Sequence, residues 1–288
     1  MTICDLLHDG SRRLFSFEFF PPHDDHADQQ LMNTISRLLP MAPDFLSVTY
    51  GANGSQRERT LDLTRRLNAD TSTRTMGHLT CVGQTTTELL GVIDRYAADG
   101  LDHILAIRGD MPGGPAVLWE PHPHGLTNAT QLVELIRSRG DFCVGVAAFP
   151  DPHPAQHDAR LDAQILKDKW LAGAGFAITQ LFFSVQSYVE LVDRVRSLDC
   201  PIPIIPGIMP ITLISQVVKF AQLSGAAIPE SIKSQLDEAG PDPARVRQVG
   251  TRIATELSQD LLDHGAPGLH FFTQNRSTAT RSIWRSLS

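Results

Sequence analysis

Short apolar runs of strand length recur along the chain, and segments with helical periodicity separate them. The pattern predicts strands at Leu14–Phe20, Phe45–Tyr50, Thr75–Cys81, His103–Arg108, Phe142–Phe149, Ala177–Phe183, Ile202–Ile208 and Leu269–Thr273. It predicts helices at Ala27–Leu39, Glu58–Leu67, Thr86–Asp99, Thr127–Ser138, Ala159–Ala172, Ser187–Leu198, Leu213–Leu223 and Pro243–His264, a turn at Ile228–Glu238 and a last helix from Ser277. Eight alternating units are typical of an α/β fold, a single (β/α)8 TIM barrel with extra helices before the last strand.

We expect one domain over residues 1–288, since no linker, repeat or low-complexity block interrupts the pattern. A doubly wound sheet is the alternative fold. It is disfavoured because no G-x-G-x-x-G sequence opens a helix.

Composition narrows the class of protein. Lys+Arg 25 against Asp+Glu 32 gives a net charge of −7, which disfavours a nucleic-acid partner. No apolar stretch approaches the length of a membrane span, and the N-terminus lacks the pattern of a secretory signal. The four cysteines are scattered (Cys4, Cys81, Cys143 and Cys200), so we expect reduced thiols in a cytoplasmic protein and no metal site.

The first strand carries an acidic residue in an aromatic run, Phe15-Ser16-Phe17-Glu18-Phe19-Phe20. Alternation along a strand puts Phe15, Phe17 and Phe19 on one face and Glu18 on the other. The aromatic face suits the helix layer, so Glu18 is predicted to point into the barrel. Burial of an unpaired carboxylate is costly, so Glu18 is either an ion-paired core residue or a protonated general acid, and we favour the acid.

Other polar residues stand where the predicted strands end, which is where barrel enzymes place their active sites. Arg108, Gly109 and Asp110 follow strand four, and they are either a structural ion pair or a carboxylate that faces a ligand. Gln180, within an apolar run, must hydrogen-bond to core backbone or to a ligand. His78 alone is more often a core histidine than a metal ligand.

Seven segments in order, FSFEFFPP, SVTYGANG, HLTC, IRGD, GAGFAITQLFF, IPIIPGIMP and FFTQNR, resemble the 5,10-methylenetetrahydrofolate reductase family. The resemblance runs from about Phe15 to the C-terminus and implies a (β/α)8 barrel. It also implies reduction of methylenetetrahydrofolate to methyltetrahydrofolate for methionine synthesis. By this resemblance Glu18 is the catalytic acid and Asp110 stabilises the cationic intermediate. The implied substrate-binding residues are Gln180, Arg276 and Ile214, the last in place of a stacking aromatic residue.

The same resemblance implies a cofactor site, because family members usually carry hydride from NAD(P)H through bound FAD. The implied cofactor-binding positions are Thr49, His78, Arg108, Gly109, Phe149, His153, Asp162 and Lys169. This chain departs from the family pattern at Gly83, Phe149, Ala155, Ile165 and Asp168. Ile165 removes a hydrogen-bonding side chain and Asp168 replaces a cation near the flavin diphosphate. We therefore predict weak or absent FAD binding and direct hydride transfer from the pyridine nucleotide.

The expected partners are a folate and a pyridine nucleotide. NADH is favoured over NADPH, since no basic cluster for a ribose phosphate stands out. The alternatives are a conventional FAD-dependent reductase and a folate-binding barrel without activity. An unrelated Schiff-base aldolase is disfavoured because no predicted strand contains lysine. The sequence does not distinguish a monomer from a homo-oligomer.

Overall fold

The computed structural model describes residues 1–50 and 57–287, and its centre is a sheet of parallel strands. The strands are β1 Leu14–Phe19, β2 Phe45–Val48, β3 Arg74–Thr80, β4 His103–Ile107, β5 Cys143–Ala148, β6 Phe176–Thr179, β7 Ile204–Ile205, β8 Gly207–Ile208 and β9 Gly268–Phe272. Their order is β7-β6-β5-β4-β3-β2-β1-β9-β8. Only Pro206 separates β7 from β8, so these two are halves of one strand. That strand pairs with β6 on one side and β9 on the other, which closes the sheet into an eight-stranded barrel.

Helices surround the barrel and follow its strands. They are α1 Ile3–Asp9, α2 Asp25–Leu38, α3 Arg57–Asp70, α4 Thr86–Ala98, α5 Ala129–Arg137, α6 Ala159–Leu171, α7 Val185–Arg196, α8 Ile214–Ser224, α9 Glu230–Ala239, α10 Pro243–Asp263 and α11 Thr278–Leu287. The predicted barrel and its extra helices before the last strand are confirmed. The predicted turn at Ile228–Glu238 was wrong, because α9 occupies most of that segment.

The two faces of β1 are those that alternation predicted. Phe17 and Phe19 are fully buried in the layer between strands and helices. Phe15 packs edge-on against Trp284 of α11, with ring centroids 4.5 Å apart. Glu18 lies on the opposite face, inside the barrel, and is 9% exposed.

The helix α1 was not predicted from the sequence. Its apolar residues Ile3, Leu6 and Leu7 join a cluster formed by Leu14, Phe45 and other residues near the first ends of the strands. This helix therefore closes the amino-terminal end of the barrel, opposite the end where strand-end residues gather.

The expectation of four reduced cysteines was also wrong. Cys4 of α1 and Cys143 of β5 form a disulfide, with Cα atoms 6.1 Å apart. The unpredicted helix is the reason, because it brings Cys4 against the start of β5. Cys81 and Cys200 are buried free thiols, and burial raises the pKa of Cys81 to about 11.

Within residues 1–50 and 57–287, no helix has the length and apolar character that crossing a membrane requires. In the same part of the chain, no group of three or more His, Cys, Asp or Glu residues is placed to hold a metal ion.

Candidate active site

Glu18 sits between two histidines inside the barrel. Its Oε2 atom lies 3.3 Å from Nε2 of His270 on β9 and 3.5 Å from Nε2 of His78 on β3. Each ring has a hydroxyl partner: Nδ1 of His270 is 2.7 Å from Oγ of Ser16, and Nε2 of His78 is 2.6 Å from Oγ of Ser47. The predicted inward position of Glu18 is confirmed, and its partners are two histidines instead of an arginine or lysine.

Burial sets the charge of this centre. Loss of hydration lowers the pKa of His78 to about 4, an effect that His270 reinforces and the Glu18 carboxylate opposes. The His78 ring is therefore uncharged near pH 7. The neutral His78 ring therefore does not hold the carboxyl group in a permanent ion pair, and His270 is the ring that forms a hydrogen bond with it.

His270 was missed in the sequence. It stands opposite Ser16 in the β1–β9 register, in the run Gly268–Phe272 that reads as apolar apart from this residue. The signal in the sequence was its position in the alternation of the last strand, because a closed barrel pairs the last strand with the first.

A second group of polar residues lines a cavity of 380 Å³ at the carboxyl ends of β4, β5 and β6. The cavity wall contains these predicted site residues: Arg108, Gly109, Asp110, Phe149, His153, Asp162, Ile165, Lys169 and Gln180. Three helices complete the wall, with the start of α5, one face of α6 and the end of α8.

The turn after β4 holds a cation, a glycine and a carboxyl group together. Gly109 has φ +80°, and an added Cβ would lie 2.6 Å from Val82 Cγ1, so the backbone requires glycine there. Nη2 of Arg108 lies 3.8 Å from Oδ1 of Asp110, and the guanidinium stacks 4.8 Å from the ring centroid of Trp119. Loss of hydration raises the pKa of Asp110, and the Arg108 charge opposes this rise.

Trp119 was also missed in the sequence. It lies in the long connection between β4 and α5, and its indole Nε1 is buried with no hydrogen-bond partner in the described residues. Loop residues carry no periodicity, so its position in the cavity wall has no sequence signal beyond its size.

One face of α6 contributes Asp162, Ile165 and Lys169. The Asp158 side chain caps the helix by accepting from the amides of Arg160 and Leu161, which fixes where this face begins. Burial lowers the pKa of Lys169 to about 8, although its Nζ donates to the carbonyl of Ala147 at 3.0 Å.

Asp162 Oδ2 accepts from the amide of His153 at 2.8 Å, and burial raises its pKa. The His153 ring packs edge-on against Phe149, with centroids 4.7 Å apart. Burial, with the charges of Arg108 and Lys169, lowers the pKa of His153 to about 4. Asp162 and Lys169 thus each form a hydrogen bond with the protein's own backbone.

Several predicted site positions lie outside the lining of the 380 Å³ cavity. Asp168 is exposed on α6 and accepts from Gln164 at 2.9 Å, outside the cavity lining. Ile214 begins α8 and packs against an apolar cluster. Thr49 bonds through its backbone to Phe19 and Thr60. Ala155 and Gly83 are exposed. The glycines of SVTYGANG, within 51–54, lie outside the described residues.

Gln180 follows β6 and faces the mouth of the barrel, where its side-chain oxygen accepts from the amide of Leu181 at 2.8 Å. Arg276 is exposed after β9 and lines a different cavity, of 650 Å³. The structure therefore gathers most predicted cofactor positions into one wall, pairs Glu18 with His78, and separates Arg276 from both groups.

Comparison with known proteins gives consistent results. The family model described as methylenetetrahydrofolate reductase matches residues 4–288. The 5,10-methylenetetrahydrofolate reductase of Escherichia coli (strain K12) is 38% identical over 272 residues, which cover 94% of this chain and 90% of that protein. The enzyme of the same name from Pectobacterium carotovorum subsp. carotovorum is 36% identical, over 94% of this chain and 89% of that one.

A solved structure supports the fold alone. It is an uncharacterized protein from Clostridium thermocellum that binds two copies of 5-methyl-5,6,7,8-tetrahydrofolic acid. Its TM-score is 0.70 at 14% identity, and the match covers 99% of this chain and 98% of that chain.

Proposed function

Because the chain belongs to the methylenetetrahydrofolate reductase family and is an oxidoreductase of that family, we propose that it reduces 5,10-methylenetetrahydrofolate directly with NADH. The observation that carries this proposal is the buried Glu18 between two histidines inside the barrel. It is joined by the cavity at the carboxyl ends of β4, β5 and β6, whose cations are already engaged. We also infer that its product supplies methyl groups for methionine synthesis.

The first step opens the five-membered ring of the substrate. Protonated Glu18 gives its proton to N10, the bond from N10 to the bridging carbon breaks, and that carbon remains on N5 as a positively charged iminium. His78 and His270 hold the carboxyl group in a water-poor interior, which suits a general acid. To the Asp110 carboxylate, which lines the cavity at the end of β4, we assign the stabilisation of this positive charge.

The second step is addition of hydride to the iminium carbon. The hydride comes from the dihydronicotinamide, which becomes oxidised, so the net reaction consumes one NADH and one proton for each methyl group formed. Direct transfer requires donor and acceptor carbons about 3–3.5 Å apart. Phe149 and Ile165 give the cavity wall apolar surface against which a nicotinamide can pack.

The residues present do not fit bound FAD. A flavin dinucleotide brings a diphosphate, and the cations that line the 380 Å³ cavity among the described residues are Arg108 and Lys169. Arg108 stacks on Trp119 and faces Asp110, while Lys169 is buried against the carbonyl of Ala147. Ile165 adds no hydrogen bond. Neither cation is available to a diphosphate without breaking its present contacts.

The same lining supports NADH over NADPH. A ribose 2′-phosphate is usually recognised by an arginine near the ribose. Since Arg108 and Lys169 are both engaged, the described lining offers no further cation for that phosphate.

The test is NADH oxidation that depends on methylenetetrahydrofolate, with protein stripped of flavin and checked by its absorbance spectrum. We expect equal rates with and without added FAD, and a lower kcat/KM with NADPH. Activity only after FAD addition would replace direct transfer with the conventional flavin-dependent reaction. Binding of 5-methyltetrahydrofolate without turnover in either arm would instead indicate an inactive folate-binding barrel.

A further inference from the structure

The 380 Å³ cavity extends from the ends of the strands to loops and a helix end that the proposed mechanism does not use. Its inner end is formed by Ala106 of β4 and Ala147 of β5. Its outer wall includes Trp119 from the β4–α5 connection, Gln156 from the β5–α6 connection and Leu223 near the end of α8. A ring that reacts at the strand ends therefore leaves the outer wall to the rest of its molecule.

Two buried polar atoms of this outer wall have no hydrogen-bond partner within residues 1–50 and 57–287. One is a donor, Nε1 of Trp119, and the other is an acceptor, Oε1 of Gln156. Most buried polar atoms in folded proteins are paired, so an unpaired one requires a specific explanation. A donor and an acceptor that belong to the lining of one cavity indicate a ligand that carries the complementary acceptor and donor.

The protein holds both side chains in place without using these polar atoms. The Trp119 ring lies 4.8 Å from the Arg108 guanidinium and packs against the main apolar core. Gln156 lies in a turn in which its own N–H and that of His157 both donate to the carbonyl of His153, at 3.0 and 2.9 Å. His157 has φ +52°, a left-handed conformation that residues other than glycine adopt at a cost. The turn fixes the backbone of Gln156, while its amide can still rotate towards a ligand.

The chemistry of the outer wall favours a flat, uncharged ring with a donor and an acceptor on its edge. Pro115 and Pro154 add apolar surface to the lining. Adenine is such a ring, because its exocyclic amino group donates and its ring nitrogens N1 and N7 accept. A glutamine amide is complementary to adenine, since its oxygen accepts from the amino group while its nitrogen donates to N7. An indole N–H is complementary to N1.

We infer that the outer part of the 380 Å³ cavity is the adenine subsite for the pyridine nucleotide, in which Gln156 accepts from the adenine amino group and Trp119 donates to N1. The inference rests on the proposed function, because the ligand is the far end of the proposed hydride donor. Neither residue was predicted from the sequence. Both are specificity-determining residues for the nucleotide, and neither takes part in the hydride step.

The experiment compares NADH with its deaminated analogue, reduced nicotinamide hypoxanthine dinucleotide, by equilibrium binding to the folate-free protein. Hypoxanthine has an oxygen in place of the amino group and a hydrogen on N1, so both proposed hydrogen bonds are lost. Each hydrogen bond contributes about two- to tenfold to affinity, so we expect wild-type protein to bind the analogue about tenfold more weakly. This ratio should fall to about threefold in Q156L and close to one in W119F/Q156L. Gln164 is exposed on α6 outside the lining, so Q164L should keep the wild-type ratio.

Direct binding separates this inference from the catalytic proposal. The fluorescence of the dihydronicotinamide reports binding without turnover, and thermal unfolding verifies that each variant is folded. Competition by ADP and IDP, which lack the nicotinamide, tests the base alone, and ADP should displace NADH at about tenfold lower concentration than IDP. That result with a silent reductase assay would support the subsite while the proposed function fails. Equal affinity of wild-type protein for NADH and its analogue, or an unchanged ratio in folded W119F/Q156L, would overturn the inference.

Discussion

Replacement of Glu18 by glutamine tests the assignment of the acid most directly. The amide has nearly the shape of the carboxyl group, and it can still form a hydrogen bond with His270, whose Nε2 lies 3.3 Å from Glu18 Oε2. Nε2 of His78 lies 3.5 Å from the same atom. It cannot donate a proton to the substrate. The change therefore removes one chemical capacity from the centre and leaves its packing in place.

A general acid typically contributes a factor of about 10²–10⁴ to the rate. We therefore expect kcat of E18Q to fall by at least about a hundredfold, which corresponds to about 3–5 kcal/mol of lost transition-state stabilisation. Affinity for 5-methyltetrahydrofolate should change by less than about threefold, since that ligand needs no proton at N10.

The assay is NADH oxidation at saturating methylenetetrahydrofolate, accompanied by thermal unfolding to verify the fold. E58Q is the matched control, because Glu58 is 70% exposed and contacts Arg95 at the surface. It should keep wild-type kcat. A folded E18Q protein with near-normal turnover would refute the acid assignment.

Three further predictions concern other parts of the molecule. The variant I165N, which places an amide in the lining of the 380 Å³ cavity, should bind FAD more tightly in a fluorescence titration, and an unchanged affinity would show that position 165 does not contact a flavin. The pKa of His78 is lowered to about 4 against about 6.5 in an unfolded chain, so the unfolded state binds more protons between these values. The free energy of unfolding should be highest above pH 6.5 and should fall by up to about 3 kcal/mol towards pH 4. In H78Q the free energy of unfolding, measured with urea at each pH, should depend less steeply on pH. Reduction of the Cys4–Cys143 disulfide, which spans 139 residues, should cost about 2–5 kcal/mol, and C4S should be insensitive to reductant.

The strands could be predicted because each is a compact apolar run bounded by polar residues. The inward position of Glu18 followed from alternation alone, since a carboxylate cannot share the aromatic face of β1. Its partner His270 could not be found in the same way. Its role depends on the pairing of the last strand with the first, which places it opposite Ser16 across 254 residues of sequence.

The amino-terminal helix shows a different limit. α1 has seven residues, too few for periodicity to indicate a helix, and its stability comes from packing under the barrel. Because that packing was not predicted, neither was the proximity of Cys4 and Cys143. The error about the cysteines thus followed from the missed helix.

The contacts of the two cations in the first cavity bear on the cofactor proposal. Inside the 380 Å³ cavity, Arg108 and Lys169 are held by Trp119 and by the carbonyl of Ala147, so a diphosphate gains little there. If instead the first cavity bound FAD tightly, the Arg108–Trp119 stack would have to separate, and quenching of Trp119 fluorescence on FAD addition would reveal it.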